Sequence, residues 1–299
     1  PDCAPHNMDD YPPEAPERLH AIHDRLIASG LDMYLATYEA PLATEAQLAR
    51  AHDPAYIRRI MDASPEQGIV HLDPDTALCP FTVTAALRAA GAGILAVDLL
   101  MDGRAENAFC LVRPPGHHAE RSQAMGFCFF NNIAVAALHA MTTHGLQRVA
   151  IVDFDVHHGN GTEDIFSNDP RVLMVSTFQH PFYPYSGTDA PAPNMVNVPL
   201  AAGANGDDFR GTVQDVWLPA LARHCPEMIL ISAGFDAHIE DDMASLRLRE
   251  ADYVWVTSEL KRVAQAHAGG RIVSMLEGGY ALPALARSVE AHIRALADL

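Results

Sequence analysis

Asp153, Asp155 and His157 alternate with apolar residues, so an extended backbone puts all three on one face. An Asp-x-His pair joined by one distant carboxylate makes a divalent-metal site. The best third ligand to Asp155 and His157 is Asp236, which follows another apolar run. Two carboxylates and one imidazole leave a position for water, as a catalytic metal requires. Such a set accepts zinc or iron(II). His117 and His118 stand in tandem behind the stiff turn Pro114-Pro115-Gly116, where they can flank a metal-bound water. Asp153 and Asn160 are candidates to hold their outer nitrogens and so fix tautomer and basicity. Tyr280 follows Gly278-Gly279, which lets the backbone turn tightly and brings a phenol near a ligand. There it can polarise a carbonyl and stabilise an oxyanion. Each residue alone fits a strand-end cap or a packed aromatic. The set, following successive strands, points to a catalytic metal site. His158 reads equally as a filler or as a local hydrogen-bonding residue, without a catalytic role.

Five apolar runs must position these groups: Ala108–Arg113, Arg148–Phe154, Arg171–Val175, Glu227–Ile231 and Arg271–Leu276. Short, continuously apolar, β-branched runs are strands buried on both faces, as in parallel sheets, and ligands bind at the carboxyl ends of such strands. Helix patterns alternate with them at Pro16–Ser29, Phe81–Asp102, Asn132–Thr143, Asp207–His224, Glu250–His267 and Leu282–Ala297. The expectation is one α/β domain over residues 1–299, three-layer α/β/α with a central, mainly parallel sheet. The Pro-, Tyr- and Gly-rich stretch Phe178–Asn197 reads as a long loop.

Of 299 residues, 20 are Lys or Arg and 38 are Asp or Glu, a net charge of −18 that excludes a general nucleic-acid binder. It suits cationic substrates, or simply a solvated surface. Five scattered cysteines without a CxxC pair argue for a reducing compartment, and a cytoplasmic location is expected. The most apolar long stretch, Phe81–Met101, carries Arg88 and Asp98 and reads as a soluble helix rather than a membrane span. A homo-oligomer is compatible with all of this.

Five motifs resemble the zinc-dependent histone deacetylase family: Arg113–Ala119 (RPPGHHA), Gly126–Asn132 (GFCFFNN), Asp153–Thr162 (DFDVHHGNGT), Ser232–His238 (SAGFDAH) and Glu277–Tyr280 (EGGY). They come in the family's order, and Pro13–Leu19 looks like its opening motif. Asn160, where many class I members have Asp, and the EGGY form resemble class II and the bacterial histone deacetylase-like amidohydrolases. The resemblance implies the arginase-deacetylase fold, with zinc on Asp155, His157 and Asp236. It makes His118 the general base and acid, His117 its electrostatic partner, and Tyr280 the residue polarising the acetyl carbonyl. Phe127, beside Gly126, matches one aromatic wall of an acyl-lysine tunnel, and Tyr183 the other, where the family usually has Phe. Asp75 falls at a rim position that anchors a substrate amide. Ser176 and Thr177, with Asp153, Asp155 and His157, match a structural potassium site. Main-chain oxygens near Phe166, Asp169 and Val172 match a second, and Arg18 resembles an arginine of the acetate exit. The implied substrate is an acetylated lysine. N-acetylpolyamines are the alternative, which Glu240-Asp241-Asp242 favours, whereas Met243 stands where a polyamine-selective member carries a gatekeeper Glu. Another small amide, and an acyl-lysine binding protein with weak activity, are further alternatives. A two-manganese ureohydrolase would need extra carboxylates, whereas the segment continues His158-Gly159-Asn160.

Overall fold

The five apolar runs form strands, and a sixth joins them. The computed structural model describes residues 2–8 and 13–299. A short antiparallel pair, β1 (Val70–His71) and β2 (Ala77–Leu78), stands apart. The others are β3 (Asn107–Cys110), β4 (Val149–Asp153), β5 (Val172–Gln179), β6 (Met195–Leu200), β7 (Met228–Ala233) and β8 (Ile272–Leu276). They make one sheet in the order β3-β8-β7-β4-β5-β6, every pairing parallel. Every residue of β4, β5, β7 and β8 is buried, which is why they read as unbroken apolar runs.

The pleat divides each strand between two cores. Val149, Ile151 and Met174 pack with α3 (Pro54–Asp62), α4 (Thr82–Met101) and α5 (Asn132–Thr143). Ala150, Val152 and Val175 pack with α1 (Glu17–Ala28), α9 (Glu250–His267) and α10 (Leu282–Ala297) on the other face. The result is the expected α/β/α layering. By length and composition α4 could cross a membrane, yet 67% of its most apolar window is buried in the core.

Smaller helices complete the chain: α2 (Glu45–Leu48), α6 (Asn160–Phe166), α7 (Gly206–Thr212) and α8 (Leu218–His224). The single helix expected over Asp207–His224 is helical throughout but passes through a π segment, Val213–Trp217, between α7 and α8. Pro219 has no N–H to give to the preceding turn, and a widened turn absorbs that loss. The loop expected over Phe178–Asn197 is shorter than it reads. β5 runs to Gln179, and Met195 already belongs to β6.

Candidate active site

Because the sheet is parallel, the turns after β4, β7 and β8 meet at one edge. Asp155 and His157 leave β4, Asp236 leaves the adjacent β7, and all three are buried with their ligand atoms within 4.8 Å of one another. His157 Nδ1 lies 3.0 Å from Asp155 Oδ1 and 3.3 Å from Asp236 Oδ2. Asp236 Oδ2 has no hydrogen-bond donor although it is fully buried. Burial, then the Asp155 charge, pushes Asp236 up to about 6. An orphaned carboxylate oxygen beside a second carboxylate and an imidazole fits a divalent cation, and this donor set fits zinc. Two glycines make the approach possible: a Cβ on Gly234 would lie 2.1 Å from Asp155 Oδ2, and one on Gly278 would lie 2.0 Å from Asp236 Oδ2.

The histidine tandem is held from behind. Glu277, at the end of β8, accepts from the Gly116 and His117 main-chain N–H groups at 2.7 and 3.2 Å, and from the Ser232 hydroxyl at 3.1 Å. His117 Nδ1 meets Asp153 Oδ2 at 2.9 Å, and His118 Nδ1 meets Asn160 Oδ1 at 2.7 Å. Burial opposes charge on His117, but the Asp153 and Asp155 carboxylates prevail and hold it well above the usual histidine range. Burial, with His117 and His157 nearby, holds His118 well below it. The expected partners, Asp153 and Asn160, are therefore both in place.

A pocket of about 130 Å³ leads to this centre, lined among others by Asp75, His117, His118, Gly126, Phe127, Tyr183, Met243 and Tyr280. Phe127 and Tyr280 pack edge to face with ring centroids 6.0 Å apart, and Tyr183 stands 5.4 Å from the His118 ring. Phe182 stacks on His157 at 5.4 Å. Phe127 has a positive φ of 68°, a strained conformation for an aromatic residue. Asp75 and Thr76 secure it: Asp75 Oδ1 accepts from Gly126 N at 3.1 Å and Thr76 Oγ1 from Phe127 N at 3.2 Å. Burial above all holds the Tyr280 phenol well above its usual range, so it stays a donor.

The histone deacetylase domain family matches residues 12–296. The chain belongs to the histone deacetylase family. It is 37% identical to histone deacetylase 14, chloroplastic, of Arabidopsis thaliana over 97% of this chain and 74% of that protein. It is 39% identical to the histone deacetylase-like amidohydrolase of Pseudomonas aeruginosa over 89% of this chain and 72% of that protein. It is also 39% identical to the mouse polyamine deacetylase HDAC10, over 92% of this chain and 43% of that protein. Among solved structures, the HDA15 HD domain superposes with a TM-score of 0.92 at 34% identity, covering 100% of this chain and 89% of that one. The architecture is thus the arginase-deacetylase fold, and the family makes the chain a hydrolase of the deacetylase type.

Other residues singled out from the sequence of this deacetylase have definite places. Arg18 is fully buried behind the Tyr280 ring, its guanidinium 4.9 Å from the ring centroid. It donates to the Glu277 and Gly279 carbonyls and to Glu14. Asp153 and Ser176 are register partners on β4 and β5, with Thr177 buried next to them. The main-chain oxygens of Phe166, Asp169 and Val172 do converge, but on the side-chain nitrogen of Asn194. His158 bonds Ser186 and Glu163, the second of the two roles left open for it.

Glu277 and Asp241 entered the sequence reading only as part of a motif and of an acidic stretch, and their work of holding main-chain N–H groups was missed. Asp241 is buried, and its carboxylate accepts from Tyr280 N at 2.6 Å, Ala281 N at 2.9 Å and Met243 N at 3.0 Å. A charged residue directly after a buried strand marks Glu277. Nothing separates Asp241 from its exposed acidic neighbours in the string. A second ligand-like cluster, Asp98, His139 and His144, lies on α4 and α5 and the residue after α5. Arg50 donates to His139 Nδ1 at 3.0 Å, so the proton of neutral His139 sits on Nε2 and goes to Asp98, leaving no lone pair for a metal.

Proposed function

We propose that the chain, acting as one catalytic domain over residues 1–299, is a zinc-dependent deacetylase that removes acetyl groups from acetylated lysine side chains. The observation that carries this reading is the buried Asp155–His157–Asp236 cluster, whose His157 lines the same pocket as His118 and Tyr280. Those three residues would hold the zinc, which when bound supplies a Lewis acid for the amide carbonyl and for a water. His118, neutral and protonated on Nδ1, presents its free Nε2 as the base that takes the water's proton and then returns it to the departing amine. His117, tied to Asp153, is its charged neighbour. Tyr280 donates its phenol proton in a hydrogen bond to the developing oxyanion. Phe127 and Tyr183 flank the aliphatic stem of the substrate and exclude water, and Asp75 meets it at the rim.

Lysine is preferred to polyamine because the wall position that would receive a distal ammonium carries Met243, an uncharged thioether, within the pocket lining. The polyamine reading rests on the 39% identity to polyamine deacetylase HDAC10 and on the acidic Glu240–Asp242 stretch nearby. We extend the proposal to a structural potassium ion beside Asp153 and Ser176, to a cytoplasmic location and to activity toward peptides rather than nucleic acid. The deciding experiment measures acetate release by the zinc-loaded protein from an acetyl-lysine peptide and from an N-acetylpolyamine at equal concentration. Higher kcat/KM on the peptide is expected. Higher kcat/KM on the polyamine overturns the substrate assignment, and no release from either overturns the activity.

A further inference from the structure

The family resemblance implies a second monovalent cation, held by main-chain oxygens near Phe166, Asp169 and Val172. In this chain the Asn194 side-chain nitrogen lies 2.9 Å from the Phe166 oxygen, 3.1 Å from the Asp169 oxygen and 2.9 Å from the Val172 oxygen. A carbonyl cage binds a cation by replacing its hydration shell, so the ion must sit where those oxygens converge. An amide nitrogen within hydrogen-bonding distance of all three already occupies that point. We propose that the Asn194 carboxamide takes the place of this cation, so that the chain closes its own second monovalent-ion position.

The chemistry of the position supports this. The oxygens belong to neutral carbonyls, so no formal negative charge at the cage demands a full positive one. The Asn194 amide carries two N–H donors and shares them among three acceptors. The amide is oriented by its surroundings: turned over, its oxygen would face three carbonyl oxygens without a donor among them. Its backbone is fixed as well, because the Asn194 carbonyl accepts from Met174 N at 2.9 Å, where β6 begins against β5. The side chain therefore ties three pieces together: Phe166 at the end of α6, the Asp169 turn and Val172 at the start of β5. The same α6 begins at Asn160, the partner of His118. A covalent part of the chain thus does the bracing that an exchangeable ion would do, and the brace does not depend on which acyl substrate the enzyme takes.

Thallium(I), a potassium mimic with a strong anomalous signal, tests the proposal in crystals of the full chain grown with thallium salts in place of potassium. The wild type should show no anomalous peak among the Phe166, Asp169 and Val172 oxygens. Asn194→Ala, which empties the position, should show one there. Its melting temperature should also rise more than that of the wild type when potassium replaces N-methylglucamine at constant ionic strength. A wild-type peak at the three oxygens, with the Asn194 side chain turned aside or its oxygen facing the ion, overturns the proposal. So does an Asn194→Ala crystal without a peak. If that variant does not fold, the wild-type crystal decides alone.

Discussion

Asn160 holds His118 in the tautomer that the proposed base requires. Its side-chain nitrogen donates to Glu120 Oε1 at 2.8 Å, so the oxygen is the atom that faces His118. An amide oxygen only accepts, so His118 carries its proton on Nδ1 and presents a bare Nε2. Tyr280 supplies the opposite function, a donor that burial keeps protonated. Replacing it with Phe removes one hydroxyl and leaves the ring packed between Phe127 and Arg18. Tyr280→Phe is expected to lose about 10²–10³-fold in kcat on an acetyl-lysine peptide, the cost of one oxyanion donor. Zinc content and melting temperature should match the wild type. Steady-state kinetics with metal analysis checks this, and undiminished turnover removes Tyr280 from the mechanism. The sequence names these residues because their types are rarely neutral together: an Asp-x-His, a histidine tandem and a Gly-Gly-Tyr. Asp241 and Phe182 escape that reading because what distinguishes them is a contact. Three main-chain N–H groups reach Asp241, and a ring stacks on His157.

At the scale of elements, the centre is a product of turns that follow adjacent strands and crowd together. The turn after β8 passes so close to the candidate ligands that Gly278 has no room for a side chain: a Cβ there would lie 2.0 Å from Asp236 Oδ2 and 2.7 Å from Asp155 Oδ2. Gly278→Ala should therefore displace both carboxylates, weaken zinc binding at least ~10-fold and abolish most turnover, while the sheet still forms. Zinc titration with circular dichroism tests this, and normal zinc affinity in a folded variant contradicts it. Asp241 joins the same turn to the Met243 loop, one oxygen serving Met243 N and the other Tyr280 N and Ala281 N. In Asp241→Asn one oxygen becomes an NH2, which must face donors on one side. One loop is released, stability falls by about 1–3 kcal/mol and kcat drops with zinc retained. Urea unfolding and kinetics measure both, and a variant with wild-type kcat dismisses the positioning role. The buried strands were legible because both faces are apolar. β6 was not, since its middle residues are partly exposed and Pro199 marks it as an edge strand.

Over the whole molecule, net charge and composition constrain partners, while stability rests on buried polar groups that the sequence shows only as scattered histidines. His52, between α2 and α3, is the clearest. Its Nε2 accepts from Asn131 N at 2.9 Å, so its Nδ1–H must donate to the Glu120 carbonyl at 2.9 Å. It thereby joins the helices near the chain start to the cap of α5 and the segment that follows the His117–His118 tandem. Burial holds it down to about 4, and a proton on Nε2 would also face a backbone N–H instead of a lone pair. The unfolded chain takes up that proton near pH 6.5, the ordinary histidine value, and the native state does not until about pH 4. Between those limits the unfolded state binds more protons, so stability rises with pH. The contribution is complete above the unfolded value and disappears as the pH falls toward the folded one. The loss is on the order of 3 kcal/mol for a shift of this size. Glu14, drawn down to about 2 by Arg113 and Arg18 against the opposing effect of burial, has the same sign but acts below its ordinary value of 4.5, so the two windows overlap only at the acid end of the His52 range. Urea unfolding at several pH values should show wild-type stability falling between about pH 6.5 and about pH 4, with a shallower decline in His52→Gln, which starts less stable. Parallel declines in the two proteins would mean that other groups carry the acid sensitivity.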